Sequence, residues 1–121
     1  MVVGICRVAF SLPGNDSLKG KRSIVRRIID RTRSKFNVAI AEVDALDAHR
    51  NAVVGFAVVS NNARHANSMV DGITSFMVSV TEAVCVGRTL EIIHTEGQPA
   101  ALPGWDESFG TSEEDDDGRQ T

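Results

Sequence analysis

Tyrosine is absent from this sequence, and its aromatic content is one tryptophan, Trp105, and five phenylalanines. So few aromatics leave little with which to stack nucleic-acid bases, which argues against sequence-specific reading of single strands. Cysteine occurs only at Cys6 and Cys85. Two thiols are too few for a disulfide scaffold or a four-thiolate cluster, and the pair forms no CxxC. No apolar run approaches the roughly 18 residues that cross a membrane, so no membrane partner is expected. The start, Met1-Val2-Val3-Gly4-Ile5-Cys6-Arg7, lacks the basic segment and cleavage site of a secretion signal, and a cytoplasmic protein is expected.

What is present is an ordinary globular composition, 42% apolar and 24% charged over 121 residues, which suits one domain. The net charge of −3 hides a division. From residue 97 onward seven acids face Arg119 alone, whereas residues 1–96 hold twelve Lys and Arg against nine Asp and Glu. Eight of those twelve bases fall between Lys19 and Lys35. The chain therefore divides into a mildly basic domain, 1–96, and an acidic C-terminal tail, 97–121. The Pro, Gly, Ser and acid content of that tail is that of a disordered segment.

Within the domain the hydrophobic period changes four times. Val2 to Leu12 alternates as a strand and ends in the turn chemistry of Pro13-Gly14-Asn15-Asp16. Ser17 is placed to cap a helix whose stripe is Leu18, Val25, Ile29, Thr32 and Phe36, widened by Ile24 and Ile28, with Asn37 as a left-handed terminator. Val38 to Val43 reads as a short strand, Asp44 to Asn51 as a polar connection, and Ala52 to Ser60 as a third strand. Asn61 or Asn62 caps a second helix with its stripe at Ala63, Ala66, Met69, Val70, Ile73, Phe76, Met77 and Val80. Val84 to His94 is a fourth strand with apolar positions at Val84, Val86, Leu90 and Ile92. The order βαββαβ predicts an α+β, ferredoxin-like sandwich: a four-stranded antiparallel sheet, first and third strands central, with two helices on one face.

Ser17-Leu18-Lys19-Gly20-Lys21-Arg22, the run from Arg33 through Phe36-Asn37-Val38 to Ala41-Glu42-Val43-Asp44, and Val58-Val59-Ser60-Asn61 resemble the YlxP-like family of small bacterial proteins. The similarity runs from about Met1 to Ile93. It implies a ferredoxin-like fold and bacterial cytosolic origin. Family members are often encoded beside translation and ribosome-maturation factors, among them ribosome-binding factor A, so the resemblance also implies a ribosomal or RNA role. It supplies no catalytic residues. The chain departs from the family pattern at Asp47-Ala48-His49, where an aromatic is usual, and in the added stretch after Gly97.

The strongest functional signal in the residues themselves is the basic first helix. At 100° per residue Lys19, Arg22, Arg26 and Arg33 share one flank, with Arg27, Arg31 and Lys35 farther round and Asp30 the only acid among them. Such a face either binds a polyanion by releasing its counterions or is a solvated surface whose long side chains cover the core edge. Lys19, Lys21, Arg22, Arg26 and Arg33 are the candidate nucleic-acid contacts, with Lys19 and Lys21 also near a helix N-terminus that could take a loose anion. Gly14 and Gly20-Lys21 do not make a phosphate loop, because five residues separate the glycines and Arg22 stands where Ser or Thr belongs.

Glu42, Asp44, Asp47 and His49 are the only grouping suited to a divalent ion or acid–base chemistry, and their spacing fits no tight metal motif. Strict alternation groups Glu42 with Val38 and Ile40, but its direction is left open. His65 and His94 are isolated. Cys6 faces the helices by alternation and Cys85 the other side, which argues against a disulfide. Val3, Ile5, Val53 and Val59, with Ala9, Ala57 and Ile93, fall on the sheet face opposite the helices and form a candidate dimer face.

The expected function is a non-enzymatic binding module for ribosomal RNA or a ribosomal particle, homodimeric, with no cofactor and no metal. The alternative is a self-associating scaffold or regulatory domain with a protein partner.

Overall fold

The computed structural model describes residues 1–104. The elements follow the predicted order: β1 (Val2–Ser11), α1 (Leu18–Lys35), β2 (Ala39–Asp44), β3 (Asn51–Ser60), α2 (Ala63–Val80) and β4 (Val84–His94). They form a four-stranded antiparallel sheet in the order β2-β3-β1-β4. This is the ferredoxin-like α+β sandwich, with β1 and β3 central.

Alternation along the central strands decides the layering. Cys6, Val8 and Phe10 of β1 and Val54, Phe56 and Val58 of β3 are buried in one cluster with Val25 and Ile28 of α1 and Val70, Ile73 and Met77 of α2. Both helices therefore cover the same face. Gly4 admits α2: a Cβ there would lie 3.1 Å from Val70 Cγ2 and 3.2 Å from Val58 Cγ2, tighter than side chains normally pack.

Caps set the helix starts. Ser17 accepts from Gly20 N at 3.0 Å and Asn62 Oδ1 from His65 N at 2.9 Å. Each satisfies one of the unpaired first-turn N–H groups, a contribution of about 1 kcal/mol.

Four expectations are corrected. Asn37 is not a left-handed terminator. Phe36, in extended conformation, ends α1 and its N–H returns to Thr32 O, while the only non-glycine residue with positive φ among those described is Ala45 at 57°. Val84 and Val86 are 49% and 63% exposed and not part of the apolar set of β4. A register shift at Ala9/Phe10 breaks the alternation there and pairs Phe10 with Cys85, so Cys85 does not follow the side assigned by simple alternation. β2 begins and ends one residue later than expected, at Ala39 and Asp44. Residues 97–104 carry no helix or strand, and the rest of the acidic tail, with Trp105 and Phe109, lies outside the described residues.

Candidate functional site

The helix α1 rests over the β2 side of the sheet, and its placement sorts the bases by role. Its buried stripe is Lys21, Val25, Ile28 and Thr32, a 4-3-4 spacing that puts a lysine in line with the core residues. Lys21 is 1% exposed. Its Nζ lies 2.9 Å from Glu42 Oε2 on β2 and donates to the carbonyl of Ala45. Lys21 is thus removed from the candidate nucleic-acid contacts, because its ammonium is consumed inside the protein. Glu42 points to the helix side, and its carboxylate is 18% exposed. The buried ammonium and this carboxylate are thus in direct contact and compensate each other's charge.

The other named bases are outside. Lys19, Arg22, Arg26 and Arg33 are exposed on one flank of α1, and Arg27, Arg31 and Lys35 are exposed farther round. Among the described residues Lys19, Arg22, Arg26, Arg27 and Arg31 enter no ion pair. Arg33 lies 3.9 Å from Asp30 Oδ1 with both side chains more than half exposed, a contact worth little in water. Its guanidinium also donates to Ile40 O on β2 at 3.2 Å. That bond fixes the orientation of the flank: it overhangs the edge strand. Lys35 belongs to the opposite flank, its Nζ 5.0 Å from the centre of the Phe76 ring of α2.

The loop between β2 and β3 is tied to the start of α1 by side chains that donate to backbone carbonyls. Asn15 Nδ2 donates to Ser17 O at 2.8 Å and to His49 O at 2.6 Å, and Arg50 Nε donates to Asn15 O at 3.1 Å. Gly20 makes room for this, since a Cβ there would collide with Asn15 Oδ1. Asp44 accepts from Ala45 N at 2.8 Å, while Asp47 and His49 are exposed. Glu42, Asp44, Asp47 and His49 therefore do not converge: no group of three His, Cys, Asp or Glu side chains suited to a metal exists among the described residues.

The candidate dimer residues are brought together. Val3 pairs with Val59, Ile5 with Ala57 and Ala9 with Val53 across β1 and β3, all on the face without helices. Val59 is 64% exposed, and Val3, Ile5 and Val53 are half-buried.

The family described as "Protein of unknown function (DUF503)" matches residues 3–89. The chain belongs to this family. It is also 33% identical over 66 residues to the protein described as "Uncharacterized protein YlxP" of Bacillus subtilis (strain 168), a match covering 54% of this chain and 72% of that one.

In this member of the family, two of the three runs quoted above meet in space. Ser17-Leu18-Lys19-Gly20-Lys21-Arg22 supplies the cap, the glycine and the buried ammonium, and Ala41-Glu42-Val43-Asp44 supplies its carboxylate. Only Lys19 and Arg22 of the first block face solvent as charges. Sequence reasoning missed the pairing, although the signal was there: Lys21 precedes Val25 by four and Ile28 by seven.

The thiols are both free. Cys6 is fully buried, and that burial pushes its thiol pKa above the ordinary 9.0, opposed by its hydrogen bond with Thr74 and by the charge of Arg88. Cys85 is exposed. No described helix is long and apolar enough to cross a membrane.

Proposed function

We propose that this protein is a non-enzymatic binding module that holds folded RNA, on its own or in a ribosomal particle, against the exposed flank of α1. The observation that carries the reading is that Lys19, Arg22 and Arg26 are exposed together with no ion-pair partner among the described residues. Exposed like charges on one helix face repel one another, and a phosphate backbone relieves this while releasing its own counterions. Recognition of shape and backbone fits better than base reading. Phe10 and Phe56 are buried in the core, and Phe36 and Phe76 pack edge to face with each other, 5.6 Å between centroids. Among the described residues no aromatic platform is offered on the open sheet face.

The test is co-sedimentation of the full chain with ribosomal subunits from a bacterial lysate at low and at high salt. Association at low salt that weakens as salt rises, and weakens further in a Lys19→Gln/Arg22→Gln/Arg26→Gln variant, supports the reading. No association at low salt would leave the flank as a solvated surface. The second reading, a self-associating scaffold, rests on a different observation, the bare apolar face of the sheet.

A further inference from the structure

An antiparallel sheet covered on one face usually turns polar side chains to water on the other. This one does not. Its outward set includes Val3 and Ile5 of β1, Val53 and Val59 of β3, Val43 of β2 and Ile93 of β4, with Val43 and Val59 47% and 64% exposed. Small residues between them, Ala39, Ala41 and Ala57, keep the surface low, and a shallow groove of about 430 Å³ runs across β1, β3 and β2 between Ile5, Arg7 and Val43.

Two charges, Arg7 and Glu91, lie within this face, and a third, Asp44, paired with Val53, stands at its β2 edge. Arg7 stands opposite Thr89, and Glu91 stands opposite Ile5, so they are diagonal neighbours on β1 and β4, a separation of about 7–8 Å along the diagonal. Both are exposed, and neither enters an ion pair among the described residues. One cation and one anion on an apolar face are self-complementary. A two-fold axis lying between two facing sheets, along the perpendicular bisector of the line from Arg7 to Glu91, sets each guanidinium over the carboxylate of the other copy.

We infer that the uncovered sheet face is the contact surface of a two-fold homodimer in which Arg7 of each copy pairs with Glu91 of the other, within an aliphatic patch. The result is a four-layer sandwich, helices outward, that completes the second face of the sheet. It leaves both α1 flanks open, so this inference stands whether or not those flanks bind RNA.

The test is sedimentation velocity on the full chain and on R7E, E91R and the double variant R7E/E91R. The native chain sediments at twice the chain mass. Each single reversal sets like charges face to face and weakens the dimer by about tenfold or more, the scale of a close like-charge contact at an interface. The double variant restores an attractive pair with its sign inverted and returns to within about threefold of the native constant, since only the pair's polarity has changed. A native monomer overturns the inference, as does a double variant no stronger than the singles. A monomer that instead holds a different protein on this face overturns it as well.

Discussion

Lys21 of α1 and Glu42 of β2, 21 positions apart, meet with 2.9 Å between Nζ and Oε2, and Lys21 also grips the carbonyl of Ala45. One ammonium thereby fastens the first helix to the end of β2 and to the start of the β2–β3 loop, where Ala45 takes up its left-handed conformation.

Removing one partner leaves the other charge in a site closed to most water. Lys21→Met should therefore cost about 3–5 kcal/mol, the usual loss when a buried ion pair is broken from one side. The double variant Lys21→Met/Glu42→Leu should recover most of that loss, because no uncompensated charge remains. Urea unfolding of the two singles and the double measures this directly. A double variant as unstable as the sum of the singles would show that the two side chains do not act as a pair.

Thr32 lies in the same buried stripe at 0% exposure, and its Oγ1 has no hydrogen-bond partner among the described residues. Valine has nearly the same shape without the hydroxyl. Thr32→Val should raise stability by about 1 kcal/mol, since an unsatisfied buried hydroxyl costs about 1–3 kcal/mol. A lower melting temperature would show that the hydroxyl has a partner in solution, such as a buried water.

The exposed flank of α1 predicts a graded loss of RNA affinity. Lys19→Gln, Arg22→Gln and Arg26→Gln should each weaken binding with little regard to base sequence. Each should flatten the slope of log affinity against log salt by about 0.7–0.9. Asp30→Asn should tighten binding slightly. A chain ending at Gly104 loses seven acids and one base. It should bind more tightly, most visibly at low salt, where screening is weakest. Fluorescence anisotropy with a ribosomal RNA fragment reads all of these, and variants indistinguishable from the native chain would remove the flank from the binding surface.

The two thiols should differ in reactivity. An alkylating reagent should label exposed Cys85 quickly and buried Cys6 only on unfolding. Because burial holds the Cys6 thiol pKa above its ordinary 9.0, the unfolded chain gives up this proton first. Its contribution is thus fully present below pH 9.0 and is lost as pH rises through the higher folded value. Melting temperatures across this range should fall more steeply for the native chain than for Cys6→Ala. Equal slopes would mean that Cys6 does not titrate in unfolding.

Local chemistry by itself determined the order and type of all six elements. Ser17 and a neighbouring asparagine mark the two helix starts, period-2 runs mark β1 and β3 as the apolar centre, and the span of β4 is bounded by its own residues. These features depend on neighbours within a few positions, and so they are legible in one dimension. Tertiary structure decided the rest. A lysine among seven other bases looks solvated until β2 delivers Glu42 over it, and no local rule states which base will meet a carboxylate 21 residues later. The direction of Glu42, open on alternation, was settled by that same ammonium. The exposure of Val84 and Val86 followed from a register shift against β1, which is a property of strand pairing and not of either strand alone. Desolvating a charge is costly enough that its partner must come from elsewhere in the fold, and that partner cannot be read from the helix that carries the charge.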